Sequence, residues 1–319
     1  MTLRLVSLLA LTACLQLAAV AFQLWPGGRH EAGAAGSAAP LLPLAPEEIT
    51  RITIADANDR QAIIRRQNAQ WYLDNTVLPA DTTRVERLLN ALSRPTGFPV
   101  ARSDSARARF EVTDARFQRR ITLARGDAQA ADAAESPASV VIYLGTSPGL
   151  RQVYARRSDR PAIRAIALST FNVPATLDGW LEPNLLSLAP IDRVRYRDSE
   201  WTQSEGHWRA TASRSAFTES TRQALEALEQ VLGTLQTSGV AANDRGDARA
   251  DSVAHDLSVR HAKQDITLRL ARAPTDGEAR LYRSDYDHWF TLSRYDHDRL
   301  AEALNTLGAQ PSGDIYEPD

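Results

Sequence analysis

Lysine and cysteine are nearly missing from this chain. Of its 37 basic residues only Lys263 is a lysine, and Cys14 is the one cysteine among 319 residues. A single cysteine excludes any disulfide within the chain. That does not place the protein in a reducing compartment, because a chain this long closes a core without covalent staples. Arginine pairs carboxylates with two parallel hydrogen bonds, so an arginine bias has a possible use in recognition. An alanine- and arginine-rich, lysine-poor composition is also what a GC-rich genome produces, and the bias alone names no function. An excess of charge is lacking too. The formal net charge is -2 and the pI about 6.3, which gives no global attraction to nucleic acid or anionic lipid. No nucleic-acid partner is expected.

Reactive motifs are equally scarce. There is no Gly-x-Ser-x-Gly elbow for a nucleophilic serine. The segment Gly145-Thr146-Ser147-Pro148-Gly149 holds two glycines but lacks the Gly-Lys-Ser/Thr ending of a phosphate loop, and it reads as a turn between strands. Hydrophobic residues at 43% and charged residues at 24% are nevertheless those of an ordinary globular body with a sizeable core.

The strongest feature present is N-terminal. After Arg4, residues 5–25 carry no charge. About 21 helical residues span roughly 31 Å, close to the hydrocarbon thickness of a bilayer. Trp25 falls where an interfacial aromatic belongs, and Pro26-Gly27-Gly28 ends the helix. The length favours a retained single-pass anchor at 1–25. Two other readings stay open. Ala19-Val20-Ala21 has the small residues of a signal-peptide cleavage site, and Leu11-Thr12-Ala13-Cys14 has the form of a lipobox with an acylated cysteine. All three put the following domain outside the cytoplasm, so the expected location is the inner membrane with the body in the periplasm. Residues 26–46, rich in Gly, Ala and Pro, read as a flexible linker, although the leucines at 41, 42 and 44 are able to pack already.

The body reads as two similar units, 47–188 and 189–319. In the first, strands are expected at 49–55, 62–66 and from Trp71. A helix follows, capped by Asp81, with Val85, Leu88, Leu89 and Leu92 at the i, i+3, i+4, i+7 spacing of one helical face. In the second, strands at 191–196, 201–203 and 208–210 precede a helix from Thr218 with Leu225, Leu228, Leu232 and Leu235. The cap lies ten residues after a tryptophan both times, Trp71 to Asp81 and Trp208 to Thr218. Later, Ile121-Thr122-Leu123 matches Ile266-Thr267-Leu268, and Val153-Tyr154 matches Trp289-Phe290. Neighbouring strands with short turns and few helices predict an α+β fold, with mainly antiparallel sheets carrying helices on one face. The intervening residues 170–188 read as a packed connector.

These features resemble the bacterial envelope family called domain of unknown function 4340. The residues that carry the likeness are the N-terminal run, Ile52-Thr53-Ile54, Trp71 with the helix after Asp81, and Phe110-Glu111-Val112-Thr113-Asp114. The connector from Trp180-Leu181 to Leu188 and the Trp208 strand complete it. The family pattern has glycine after the aromatic at Phe110; Glu111 departs from it, which puts that turn in question. Families of this kind accompany ABC-type transport components and gliding-motility-type auxiliary proteins. The resemblance therefore implies a membrane complex as setting, and it brings no catalytic residue with it.

Tyr286-Asp287-His288 with Asp285, and Tyr295-Asp296-His297-Asp298, group imidazoles and carboxylates suited to a transition metal. Asp296 also sits where a helix starts, and Asp285 and Asp287 flank an expected hairpin turn; the structural reading is preferred. His255 and His261 share one strand without a third ligand. Two arginine groups, Arg116/Arg119/Arg120 and Arg151/Arg156/Arg157/Arg160/Arg164, fit anionic glycans or headgroups, but solvated strand faces paired with Asp and Glu are the simpler reading. Trp71, Trp201, Trp208 and Trp289 are expected in the core rather than as sugar platforms. No catalytic, cofactor-binding or metal residue is assigned. The expectation is a non-enzymatic accessory subunit of an ABC-transporter-type envelope complex; the competing reading is a polysaccharide-binding module or hydrolase.

Overall fold

Every second residue of Arg51–Ala55 is apolar, and Ile52 and Ile54 are fully buried. This strand, β1, lies inside the first sheet, paired on both sides. The computed structural model describes residues 39–126, 139–212, 217–241, 253–272 and 277–309. The expected anchor at 5–25, Cys14 and most of the linker lie outside them. Among the described residues no helix is long and apolar enough to cross a membrane.

The first unit continues with β2 (Gln61–Gln67), β3 (Gln70–Leu73), α1 (Thr82–Ser93) and α2 (Asp104–Arg109). Then come β4 (Arg119–Ala124), β5 (Ser139–Leu144), β6 (Val153–Arg157) and β7 (Ile163–Ile166). The second has β8 (Ile191–Tyr196), β9 (Ser199–Ser204), β10 (His207–Ala212), α3 (Glu219–Thr234) and β11 (Gly239–Val240). It ends with β12 (Val253–His261), β13 (Gln264–Arg272), β14 (Ala279–Arg283), β15 (His288–Thr291) and α4 (Arg294–Gly308). The α+β class is as expected, and each strand pairing is antiparallel.

Strand order is β3-β2-β1-β4-β5-β6-β7 in one sheet and β10-β9-β8-β12-β13-β14-β15-β11 in the other. Read from β3 and β10, the two run through the same sequence of places. Trp71 and Trp208 are each the second residue of the outermost strand, both buried. The later matches shift by one place. Ile121 to Leu123 lie in β4, fourth in its sheet, whereas Ile266 to Leu268 lie in β13, fifth in the other. Val153-Tyr154 and Trp289-Phe290 are likewise one strand apart in rank. An Ile-Thr-Leu triplet suits any strand with one buried face, so it fixes no register.

Both helices after the tryptophan strands begin where expected. Asp81 accepts a hydrogen bond from the Arg84 N–H at 2.9 Å, and Thr218 accepts one from the Thr221 N–H at 3.2 Å. Val85, Leu88, Leu89 and Leu92 face inward from α1, and Leu225, Leu228 and Leu232 from α3. They join both sheets and α4 in one continuous apolar core. Leu41 and Leu42 belong to it as well, and the Leu42 N–H donates to the Leu92 carbonyl at 2.9 Å. The packed body therefore starts before residue 46. Burying each of these leucines stabilises the fold by about 1.5–3 kcal/mol.

One face of the first sheet was not expected to be covered. Val141, Tyr143, Tyr154 and Ile163 make the second face of β5–β7 apolar, and α2 with Val112, Phe110 and Phe117 packs over it. The connector ties the units together. Ala80 and Leu181 form a β-bridge, and the Leu188 N–H donates to the Leu232 carbonyl at 2.8 Å. Val240 N–H donates to the Asp178 carboxylate at 3.0 Å. Two 3-10 turns, Thr170–Asn172 and Leu177–Trp180, shape it.

Candidate functional site

The Tyr-Asp-His triplets do not form a common site. The first occupies the turn between β14 and β15. There the buried Arg283 grips Asp285 with two hydrogen bonds, of 2.8 and 2.9 Å, and also donates to the Leu185 carbonyl. Asp287 has φ 54° and accepts from the Tyr282 hydroxyl at 2.8 Å. His288 Nδ1 lies 2.6 Å from the Tyr286 carbonyl. The second triplet starts α4. Ser293 is the cap, and its hydroxyl and Asp296 exchange bonds of 2.7 and 3.0 Å. His297 is buried, with Nδ1 3.0 Å from Asp298 and 3.1 Å from Arg272. Among the described residues no three His, Cys, Asp or Glu side chains converge in a metal-binding group.

His255 and His261 each bond elsewhere. His255 is buried on β12, and its Nδ1 shares a 2.7 Å hydrogen bond with the Tyr196 hydroxyl. Burial, with Arg197 and His297 nearby, pushes its pKa below the usual histidine value. His261 Nδ1 lies 2.8 Å from the Pro190 carbonyl. Gly145 serves packing. A Cβ there would fall 1.9 Å from the Phe110 carbonyl oxygen, so the turn requires glycine for close approach. Trp71, Trp201, Trp208 and Trp289 are all buried, which leaves none as a sugar platform.

The arginine groups divide. Arg116 pairs with Glu111 at 2.7 Å. Arg119 donates to the Val173 carbonyl at 2.7 Å. Arg156 is buried over the Tyr143 ring and donates to the Val112 carbonyl at 2.6 Å. Arg120 lies over the Phe117 ring at 5.7 Å. Arg151, Arg157, Arg160 and Arg164 line two clefts that the sequence did not reveal. In one, of about 420 Å³, Arg84, Arg87 and Arg94 of α1 and its C-cap face Arg151 over Leu88 and Leu168. In the other, of about 310 Å³, Arg102, Arg157, Arg160 and Arg164 surround Ala39 to Leu41. Arginines at 84, 87 and 94 recur at i, i+3 and i+10, which places them along one side of a helix. That spacing was readable; the arrival of Arg151 from the turn before β6 was not.

Among the described residues, carboxylates gather in neither of these clefts nor in two others. The two arginine-lined ones have none. A third, between α3 and α4, has only Glu302, and a fourth, between Arg65 and His288, has only Asp287. The polar clusters of this two-sheet α+β body thus brace turns and helix starts. The family model for Domain of unknown function (DUF4340) matches residues 71–258, more than half of the chain, and the protein belongs to that family. Neither the comparison with curated proteins nor that with solved structures gives a match.

Glu111 resolves the question its departure raised. It adopts φ 57°, the left-handed conformation that glycine takes without steric cost. The side chain finds partners in Arg116 and in Gln118 at 3.3 Å.

Proposed function

We propose that the protein is a non-enzymatic accessory subunit of an ABC-transporter-type envelope complex, anchored in the inner membrane by residues 5–25 with its body in the periplasm. The observation that carries the docking role is the outer edge of β10. This six-residue strand pairs only with β9, and no described strand lies on its other side. Apart from Trp208, the residues described from His207 to Thr211 are exposed. An open edge offers backbone N–H and C=O groups to a partner strand. By contrast β3 and β7 are covered, through bridges Tyr72–Pro79 and Ala101–Ile163.

The shared strand order supports descent of both units, 47–188 and 189–319, from one duplicated ancestor. In that reading the first sheet keeps the structural role and the second retains the free edge. Among the described residues the four clefts hold at most one lining carboxylate each, which favours docking over glycoside chemistry, whose usual form uses two. Affinity purification from membranes after mild crosslinking tests the proposal. Recovery of transporter membrane subunits is the expected result. A protein that comes out alone, and that retains or cleaves cell-wall glycan once purified, would overturn it.

A further inference from the structure

The overall charge balance hides an asymmetry. Residues 47–188 hold 19 arginines against 16 Asp and Glu, whereas residues 189–319 hold 16 basic residues against 22 acidic ones. The first unit is thus the positive pole, and the two arginine-lined clefts lie on it. Among the described residues, the guanidinium groups of Arg94 and Arg151 have no hydrogen-bond or ion-pair partner, and that of Arg87 reaches only the Thr83 carbonyl of its own helix, at 3.2 Å. Elsewhere the charges are met: Asp159 pairs with Arg157 at 2.5 Å and Arg160 at 3.7 Å in the second cleft, and Asp81 with Arg84 at 3.6 Å in the first.

Apolar side chains stand at the same places. Leu150 is 97% exposed and directly precedes Arg151; Phe171 is 88% exposed and lies between the turn at Ser169 and Asn172 of the same cleft. Residues 94–102 run from the first cleft to the second, and Phe98 on that path is 78% exposed. Single exposed apolar residues are ordinary, but Leu150 and Phe171 beside the unpartnered Arg94 and Arg151 form the pattern of an interfacial surface, with greasy tips flanked by cations. Ala39 and Pro40 line the second cleft, so the chain enters the body here. Only residues 26–38 separate this point from Trp25, a reach of at most about 45 Å.

We propose that this end of the first unit docks on anionic phospholipid headgroups. Arg87, Arg94 and Arg151 meet the phosphates, and Leu150 and Phe171 enter the interface between headgroup and acyl chain. The chemistry favours lipid over a soluble anionic glycan, because a hydrated glycan would leave the aliphatic Leu150 without apolar cover. The proposal deepens the anchored reading, on which it rests for the orientation of the body.

The test uses the full chain with Cys14→Ser and Leu150→Cys, labelled with a polarity-sensitive dye. It is reconstituted in vesicles of phosphatidylcholine alone or with about one third phosphatidylglycerol. The expected result is a blue shift only in the vesicles with phosphatidylglycerol, reversed by about 0.5 M salt. Replacing Arg87, Arg94 and Arg151 together by Gln should lower the docked-to-free ratio about a hundredfold, with an unchanged circular dichroism spectrum. No shift, an equal shift in neutral vesicles, or a shift that survives the triple replacement would overturn the proposal. So would a shift produced by a soluble anionic polysaccharide in place of phosphatidylglycerol. Alkaline extraction from neutral vesicles reads the anchor separately. Release there, with the phosphatidylglycerol-dependent shift intact, would end the anchored reading and leave the headgroup surface standing.

Discussion

The backbone N–H of Asp81 donates to the carbonyl of Trp180 at 2.7 Å, while its side chain caps α1. One residue thus fixes the start of the first unit's helix and holds the connector to the second unit. Its counterpart Thr218 caps α3 without such a link to the connector. Asp81→Ala is expected to lower stability by about 1–2 kcal/mol and Thr218→Ala by about 1 kcal/mol. Asp81→Asn, which keeps an acceptor oxygen, should recover most of the loss. Urea unfolding midpoints of the three variants check this, with equal stability of Asp81→Ala and the parent as the contrary result.

Glu111 stands at φ 57°, a conformation that glycine takes without steric cost. Replacing it with Gly removes the left-handed strain of about 1 kcal/mol but also the pair with Arg116. That pair is exposed on the Arg116 side and contributes little. Glu111→Gly should therefore leave stability unchanged or raise it by up to about 1 kcal/mol. Glu111→Val, β-branched at positive φ, should destabilise by more than about 1 kcal/mol. Thermal melts of the two variants should move in opposite directions or, at the least, differ in this order.

The buried Tyr196–His255 pair makes stability depend on pH. Burial lowers the histidine's pKa in the folded state below its unfolded value near 6.5. The unfolded chain therefore takes up the proton first as pH falls. The contribution of neutral His255 is complete above the unfolded pKa and declines as pH drops below it toward the folded value. His255→Asn keeps a hydrogen-bonding group for Tyr196 and removes the titration. The stability difference between parent and variant should shrink from pH 7.5 to pH 5. A difference independent of pH over that range would show that the histidine does not titrate differently on folding.

Local chemistry was legible in the residues. Asp81 and Thr218 announced helix starts, and the leucine spacings gave the inward faces of α1 and α3. The strand at Ile191–Tyr196 was readable to its ends. Rank within a sheet was not. The Ile-Thr-Leu triplets looked equivalent because a half-buried strand has the same alternation wherever it sits, and only the pairing put them in β4 and β13. The cover over Tyr143 and Ile163 has a related cause: adjacent bulky residues such as Val153-Tyr154 fill both faces of a strand, but do not tell what packs on the second. The arginine clefts were half legible. A helix displays its own spacing, but Arg151 reaches α1 only through the tertiary fold.

The open edge of β10 is the feature on which the docking account depends, and Arg209 is exposed in its middle. A photo-crosslinking amino acid at position 209, activated in intact cells, is the most direct measurement. The account predicts a covalent adduct with a membrane subunit of an ABC-type transporter. It also predicts loss of the adduct when proline substitutions in β10 remove its backbone donors. Adducts only to cell-wall glycan, or none at all with the protein folded and exported, would contradict it.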